Sequence, residues 1–277
     1  LIEPSAEAAS GGPMSMADLE KLGEAHPVEA QRPLPDDIAG LIYTSGTTGN
    51  PKGVLLSHGN FTSNCVAGFK AFPEILSIEL VTLGILPWAH AYAQTCELYA
   101  VILFGGMCGL AGSVSTIAED IATVKPTWLV AVPRVFNRVY SGLWSKMEKE
   151  GGLPLKLFKM GVDAAAKKRE LAEQGKSDFM TNLKLKIADK IVFQKIRERL
   201  GGRLKGSITA SAQMNPEIAQ FFFDIGIPIY DCYGLTETSP AVSISSSTRC
   251  RLGSVGAPIE KVKIVIDKST SEEGAED

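Results

Sequence analysis

Cysteine is sparse and unpaired in this sequence: Cys65, Cys96, Cys108, Cys232 and Cys250 are odd in number, widely spaced and form no C-x-x-C pair. That argues against a disulfide framework and for free thiols in a reducing, cytoplasmic setting. There is no long hydrophobic run. The longest apolar stretch, residues 98–111, falls short of the roughly 20 residues a membrane-spanning helix needs and is interrupted by Gly105 and Gly106. Positive charge is not in surplus: the formal net charge is −3 with 21% charged residues, which disfavours a dedicated nucleic-acid binder. Internal repeats and low-complexity tracts are absent. The first residues lack an initiator Met, a basic n-region and a continuous apolar h-region, so they read as cut from a longer chain rather than as a signal peptide. What is present is 45% hydrophobic content over 277 residues, enough to bury a large core in one large domain or two ordinary ones.

Residues 1–35 are rich in Pro, Glu, Ala and Gly, with one short helical candidate at 15–22, and read as a connector. The core begins near Asp37. Strand-like runs at 38–44, 80–86 and 127–132 alternate with helical candidates at 60–72, 93–104 and 115–124. This alternation predicts parallel βαβ units, hence an α/β fold of doubly wound parallel sheets flanked by helices. A second unit follows, with a strand at 206–210, a helix opened by Asn215 as N-cap and Pro216 at its first position, and a strand at 227–231. Between the two units, residues 134–200 are mostly helical, with Phe136, Val139, Leu143 and Met147 at helical spacing and Leu185, Ala188, Val192, Ile196 and Leu200 likewise. Near the end Val262, Ile264 and Ile266 alternate as in a strand before a polar run at 269–277, which reads as a trimmed boundary.

Charge is distributed unevenly. Residues 156–205 hold 14 basic and 6 acidic residues, a local excess of +8. A solvated helical surface is one reading; a basic face meeting a phosphate-rich ligand or an anionic membrane is the other.

The densest chemistry lies in Thr44, Ser45, Gly46, Thr47, Thr48, Gly49, Asn50, Pro51, Lys52 and Gly53, directly after a strand. Glycines let successive backbone N–H groups converge on an anion, hydroxyls add neutral donors, and a lysine adds a mobile positive charge, so the segment reads as a phosphate cradle. It is not a Walker A loop, because Pro51 stands where that pattern needs its second glycine and Gly53 follows Lys52.

The segment from Tyr43 to Gly53 resembles the signature of the adenylate-forming enzymes, the family of acyl-CoA synthetases, luciferases and peptide-synthetase adenylation domains. Two further family motifs follow in order, at Tyr233, Gly234, Leu235, Thr236, Glu237 and Thr238, and at Gly253 to Pro258. The resemblance runs from about Asp36 to Ile266. It implies a connector at 1–35, an AMP-binding large domain at 36–266 and a truncated tail at 267–277. Residues 86–90 (Leu-Pro-Trp-Ala-His) and 132–136 (Val-Pro-Arg-Val-Phe) are most similar to those of long-chain fatty acyl-CoA synthetases.

The resemblance implies a two-step reaction, in which a fatty acid and ATP give acyl-AMP and pyrophosphate and coenzyme A then displaces AMP. By the same resemblance, residues Ser45, Gly46, Thr47, Thr48, Gly49 and Lys52 embrace the β- and γ-phosphates, and Thr236 touches the α-phosphate. Glu237 holds Mg²⁺ together with Thr44. Thr236, Glu237 and Lys52 form the catalytic set. Adenine stacks on Tyr233, next to Gly234, and Asp231 contacts the adenine amino group. His90 lines the acyl site, whereas His58 helps open the helix behind the loop.

Three departures from the family pattern stand out. The adenine wall reads Ala210, Ser211, Ala212 and Gln213 in place of Gly-Gly-Ala, and Gln94 stands where some relatives carry a gating tryptophan. The family's Tyr/Thr-Gly-Asp segment, hinge and small C-terminal domain with its lysine are not found after Pro258, where the lysines are Lys261, Lys263 and Lys268. Competing readings are a ligase for another acid or a carrier-protein acceptor, and a nucleotide-binding module without turnover. An amino-acid substrate is disfavoured because residues 91–96 carry no acid, Glu97 being the first.

Overall fold

The computed structural model describes residues 15–45, 49–77, 79–113 and 115–267. The chain divides into units Leu1–Pro35 and Asp36–Asp277. The first holds helix α1 (Met16–Ala25), whose N-cap Ser15 accepts the Asp18 N–H at 3.2 Å. No described helix is long and apolar enough to cross a membrane.

The second unit opens with β1 (Ile38–Thr44) and β2 (Lys52–Ser57), followed by α2 (His58–Phe69). The strands pair antiparallel, with Thr44 opposite Lys52. This corrects the first expected βαβ unit: the glycine-rich segment joins two strands of a hairpin instead of leading into a helix. Only an antiparallel pair can be closed by so short a connection. Helix α2 starts two residues earlier than its pattern suggested because Ser57 and Asn60 form a capping box, with His58 as the first helical residue.

Strands β3 (Val81–Gly84) and β4 (Met107–Leu110) pair parallel. Between them run α3 (Ala91–Ala93), a π-helical segment (Gln94–Tyr99) and α4 (Ala100–Leu103). After α5 (Ile117–Val124) comes β5 (Trp128–Ala131), and Thr127 laces it to β3 by donating its N–H to the Val81 carbonyl and accepting the Val81 N–H on Oγ1. Helices α6 (Pro133–Glu150), α7 (Gly152–Glu173), α8 (Phe179–Ala188) and α9 (Gln194–Arg199) follow, the last two joined by a π-helical segment (Asp189–Phe193). Then come β6 (Gly206–Thr209), α10 (Pro216–Asp224), β7 (Ile229–Gly234), β8 (Ala241–Ile244) and β9 (Ala257–Pro258). Asn215 caps α10 and Pro216 opens it, as the sequence indicates.

One sheet runs β5-β6-β7-β8-β9. It is parallel through β7 and antiparallel beyond, so the fold is α/β with mixed sheets. Both faces of its parallel part are covered. Trp128, Val130, Ile208 and Tyr230 enter one apolar cluster, and Leu129, Ala131 and Ile229 enter the other. That division follows from the two-residue period of strand side chains. Gly206 is required here: a Cβ would lie 2.6 Å from the Trp128 ring, which stacks on Tyr230 with centroids 6.2 Å apart.

The expected strand through Val262, Ile264 and Ile266 is absent. Residues 262–267 form no ladder, and Val265 and Ile266 are about three-quarters exposed. Alternation produces a strand only where another strand accepts its backbone hydrogen bonds, and no described strand does so.

Candidate active site

The parallel strands β5, β6 and β7 end on the same side, and crevices outside the carboxyl ends of such strands are where open α/β sheets take ligands. A cleft of about 540 Å³ opens there. The hairpin contributes Thr44, Ser45 and Lys52; the β3–α3 connection contributes His90; the end of β6 contributes Ser211; and the β7–β8 connection contributes Gly234, Thr236 and Glu237. These eight residues, all singled out from sequence, therefore meet around one space. Gly46, Thr47 and Thr48 lie outside the described residues, as does Lys268. Gly49 sits on the hairpin turn with φ +87° and, like Ala212, is not among the lining residues.

The two sides of the cleft are built differently. On the hairpin, Thr44 Oγ1 donates to the Lys52 carbonyl at 3.5 Å, and Lys52 is exposed with no side-chain hydrogen bond or ion pair to a described residue. Across the cleft, the 3-10 turn Thr236–Thr238 is held from several directions. Gly234 permits its start, since a Cβ there would lie 1.8 Å from the Pro240 carbonyl oxygen. The Leu235 N–H donates to that same oxygen at 3.0 Å. Buried Asn64 on α2 completes the clamp: its Nδ2 donates to the carbonyls of Thr238 (3.1 Å) and Ala241 (2.8 Å), and its Oδ1 accepts the Ala241 N–H (3.1 Å). Thr95 Oγ1 donates to the Ser239 carbonyl at 3.4 Å. Thr236 and Glu237 thus project from a fixed turn, with the Glu237 side chain exposed.

His90 combines both roles weighed for it. Its Nδ1 accepts the Tyr92 N–H at 3.2 Å, capping α3, while the residue lines the cleft. With Nδ1 as acceptor, the neutral ring carries its proton on Nε2.

Tyr92 also lines the cleft, a residue that sequence reasoning missed. Its buried hydroxyl lies 3.1 Å from the Ala131 carbonyl and 3.0 Å from the Ile208 carbonyl, tying α3 to two strand ends. Burial drives its pKa well above the usual phenol value. Cys232, another lining residue not expected, has its thiol pushed up to about 12 by burial and is a packing group rather than a nucleophile. One turn from Gln94, Glu97 is fully buried. Its Oε2 accepts from Trp88 Nε1 at 2.8 Å while its Oε1 has no hydrogen-bond partner among the described residues, and burial pushes its pKa up to about 7.

Asp231 and Tyr233 alternate along β7 with Tyr230 and Cys232, and neither is among the lining residues. Asp231 is half-buried, with its carboxyl pushed up to about 6 by burial. The Tyr233 ring is 47% exposed and open to a planar partner.

No group of three or more His, Cys, Asp or Glu among the described residues could hold a metal unaided. The cleft offers one carboxylate and two threonine hydroxyls, a set that suits Mg²⁺ only if phosphate oxygens and waters complete its shell.

The AMP-binding enzyme family matches residues 3–276. Fatty acyl-CoA synthetase A of Dictyostelium discoideum is 34% identical over 88% of this chain and 35% of that protein. Long chain acyl-CoA synthetase 6, peroxisomal, of Arabidopsis thaliana is 35% identical over 92% of this chain and 35% of that protein. The chain thus spans about a third of the length of the curated relatives it matches. Among solved structures, an o-succinylbenzoate coenzyme A synthetase from Bacillus subtilis in complex with ATP and magnesium ion shares the fold, with TM-score 0.56 and 20% identity over 92% of this chain and 43% of that one. The chain belongs to the AMP-binding enzyme family, as a portion of its large domain.

Proposed function

We propose that the protein containing this chain activates a long-chain fatty acid with ATP, through acyl-AMP, and transfers the acyl group to coenzyme A. The observation that carries this reading is the meeting of Thr44, Ser45 and Lys52 with Thr236 and Glu237 across one cleft. The names of the relatives support the acid and the acceptor.

In the first step a carboxylate oxygen of the acid bonds to the α-phosphorus of ATP as the bond to the pyrophosphate oxygen breaks. Charge accumulates on the leaving group, so cationic and hydrogen-bond donors fixed around it lower the barrier. Lys52 and Ser45, with Gly46, Thr47, Thr48 and Gly49, would surround the β- and γ-phosphates, and Thr236 would donate to the α-phosphate. Glu237 and Thr44 would hold Mg²⁺, which when bound neutralises phosphate charge. Tyr233 offers a flat face to adenine, with Asp231, Ser211, Ala212 and Gly234 bordering it. His90, its Nε2–H free to donate, would orient the acid. In the second step the coenzyme A sulfur bonds to the acyl carbonyl carbon and AMP leaves.

Exchange of labelled pyrophosphate into ATP, dependent on added palmitate, tests this reading. Exchange that needs an aryl or amino acid instead would replace the substrate class. ATP binding without exchange for any acid would replace the enzyme by a nucleotide-binding module.

A further inference from the structure

Helices α8 and α9 and the π-helical segment between them carry a second surface, none of whose residues lines the cleft. The side chains of Thr181, Ala188, Val192, Phe193 and Ile196 are buried against the rest of the unit. Met180, Leu183, Ile187 and Ile191 are not. They recur every three to four residues and are 54%, 39%, 39% and 42% exposed, so they form one apolar ridge facing water. The ridge runs into a cavity of about 210 Å³, lined by Ile191 together with Leu153 and Leu157 of α7 and by Lys195 and Arg199.

Charge surrounds the ridge. Lys184, Lys186, Lys190, Lys195 and Arg199 are all exposed. Of the acids on the same stretch, Asp189 pairs with Arg197 at 2.7 Å, and Glu198, which accepts from the Gln194 amide at 3.0 Å, is the one carboxylate set against these five cations. An apolar stripe flanked by lysines in excess is the pattern of a helix that lies in a membrane interface: apolar side chains enter the acyl boundary and the lysines reach headgroups. A second copy of the chain suits the face poorly, because a two-fold contact would set these lysines against themselves. Nucleic acid suits it poorly too, since four apolar side chains would face phosphates.

We propose that the α8–α9 face docks on a bilayer containing anionic lipid, with Met180, Leu183, Ile187 and Ile191 inserted and Lys184, Lys186, Lys190, Lys195 and Arg199 on the headgroups. The inference rests on this surface alone and stands apart from the acyl-activating reading.

Vesicle flotation tests it. The protein is mixed with vesicles of phosphatidylcholine alone or of phosphatidylcholine with phosphatidylserine, at low and high salt. Binding is expected only to the mixed vesicles and only at low salt. Exchanging Lys184 and Lys190 for alanine together should weaken it about 25-fold, at roughly fivefold per lysine. Exchanging Ile187 and Ile191 for serine should weaken it at least about tenfold, with the melting temperature of both variants unchanged. Should a variant melt early, the salt and lipid dependence of the unaltered protein still decides. Equal binding to neutral vesicles, no binding to mixed ones, or binding indifferent to a folded isoleucine variant overturns the proposal. So does a concentration-dependent dimer in sedimentation that the isoleucine changes abolish, which would make the face a self-contact.

Discussion

The two walls of the cleft present their chemistry in opposite ways. Lys52 and Thr44 extend from a hairpin on which the Thr44 hydroxyl makes one 3.5 Å side-chain hydrogen bond, whereas Thr236 and Glu237 stand on a turn pinned by Asn64, Thr95 and the Gly234–Pro240 contact. A carboxylate meant to direct a metal works only at a fixed place, because dislocating it by a fraction of an ångström loses the geometry it supplies. A lysine that meets phosphates acts as a point charge on a long stem and tolerates looser attachment. The contrast predicts that damage behind the turn shows up as lost stability, while damage on the hairpin shows up only as lost affinity.

The sharpest attempt to break this contrast is Asn64→Leu. The change keeps the volume but leaves one N–H and two carbonyls of residues 238–241 without the partner that now satisfies them. Each buried group so stranded costs about 1–3 kcal/mol, so a loss of about 4 kcal/mol is expected, read as a lower urea midpoint, together with weaker ATP binding. A loss under about 1 kcal/mol would show that the turn holds itself.

Next in size is the pH dependence of the same wall. Glu97 lies in the π-helical segment whose Thr95 reaches Ser239, and it anchors Trp88, two residues before His90. Its pKa is raised from 4.5 to about 7 by burial, a shift opposed by the Trp88 hydrogen bond. A carboxyl raised on folding favours the native state below pH 4.5, and that contribution is lost as pH climbs through 7. The expected fall is about 3 kcal/mol. Glu97→Gln, which can still accept from Trp88, should flatten most of this decline and be the more stable protein at pH 8. Asp231, raised from 3.8 to about 6 by burial, leaves a residual slope of the same sign at lower pH. Chemical denaturation from pH 4 to pH 8 checks both, and parallel curves for the two proteins would refute the role of Glu97.

These supports were the part of the site least legible in the sequence. The glycine-rich segment, the Tyr-Gly-x-Thr-Glu motif, His90 and the Asn215–Pro216 helix start are local patterns, and each was readable because its chemistry is contained in a few adjacent residues. Asn64 and Tyr92 act across 174 and 116 residues of chain, so no window of sequence could reveal them. Glu97 registered only as the first acid after the histidine, because its burial is a property of the packed sheet. Strand β2 escaped because Lys52–Ser57 shows little alternation, and only the partner strand makes it a strand. The basic excess at 156–205 was visible, but which lysines flank an exposed apolar ridge was not.

On the turn itself, Glu237→Gln separates the carboxylate's chemistry from its setting. The side chain is exposed, so unfolding stability should stay within about 0.5 kcal/mol of the original. ATP affinity in the presence of Mg²⁺ should fall roughly 30-fold, about the value of one charge-assisted contact, and affinity without Mg²⁺ should barely move. Isothermal titration with and without the metal decides, and an unchanged metal dependence would remove Glu237 from that role.

The smallest effects expected belong to the hairpin and to the exposed ring. Lys52 has no side-chain hydrogen bond or ion pair to a described residue, so Lys52→Ala leaves stability alone and removes one cation from the hairpin side of the cleft. ATP carries β- and γ-phosphates and AMP does not. The substitution should therefore weaken ATP about tenfold and AMP little, since an exposed cation is screened by solvent on its open side. Tyr233→Ala makes the converse cut. Base stacking contributes about 1–3 kcal/mol, the base is common to both nucleotides, and so ATP and AMP should weaken alike, by about tenfold. Competition binding of the two nucleotides to both variants gives four numbers, and the reading requires one of the four losses to be near zero. Equal losses of ATP and AMP in Lys52→Ala would mean that the lysine does not reach the outer phosphates, and the hairpin wall would then need another role than the one its exposure suggests.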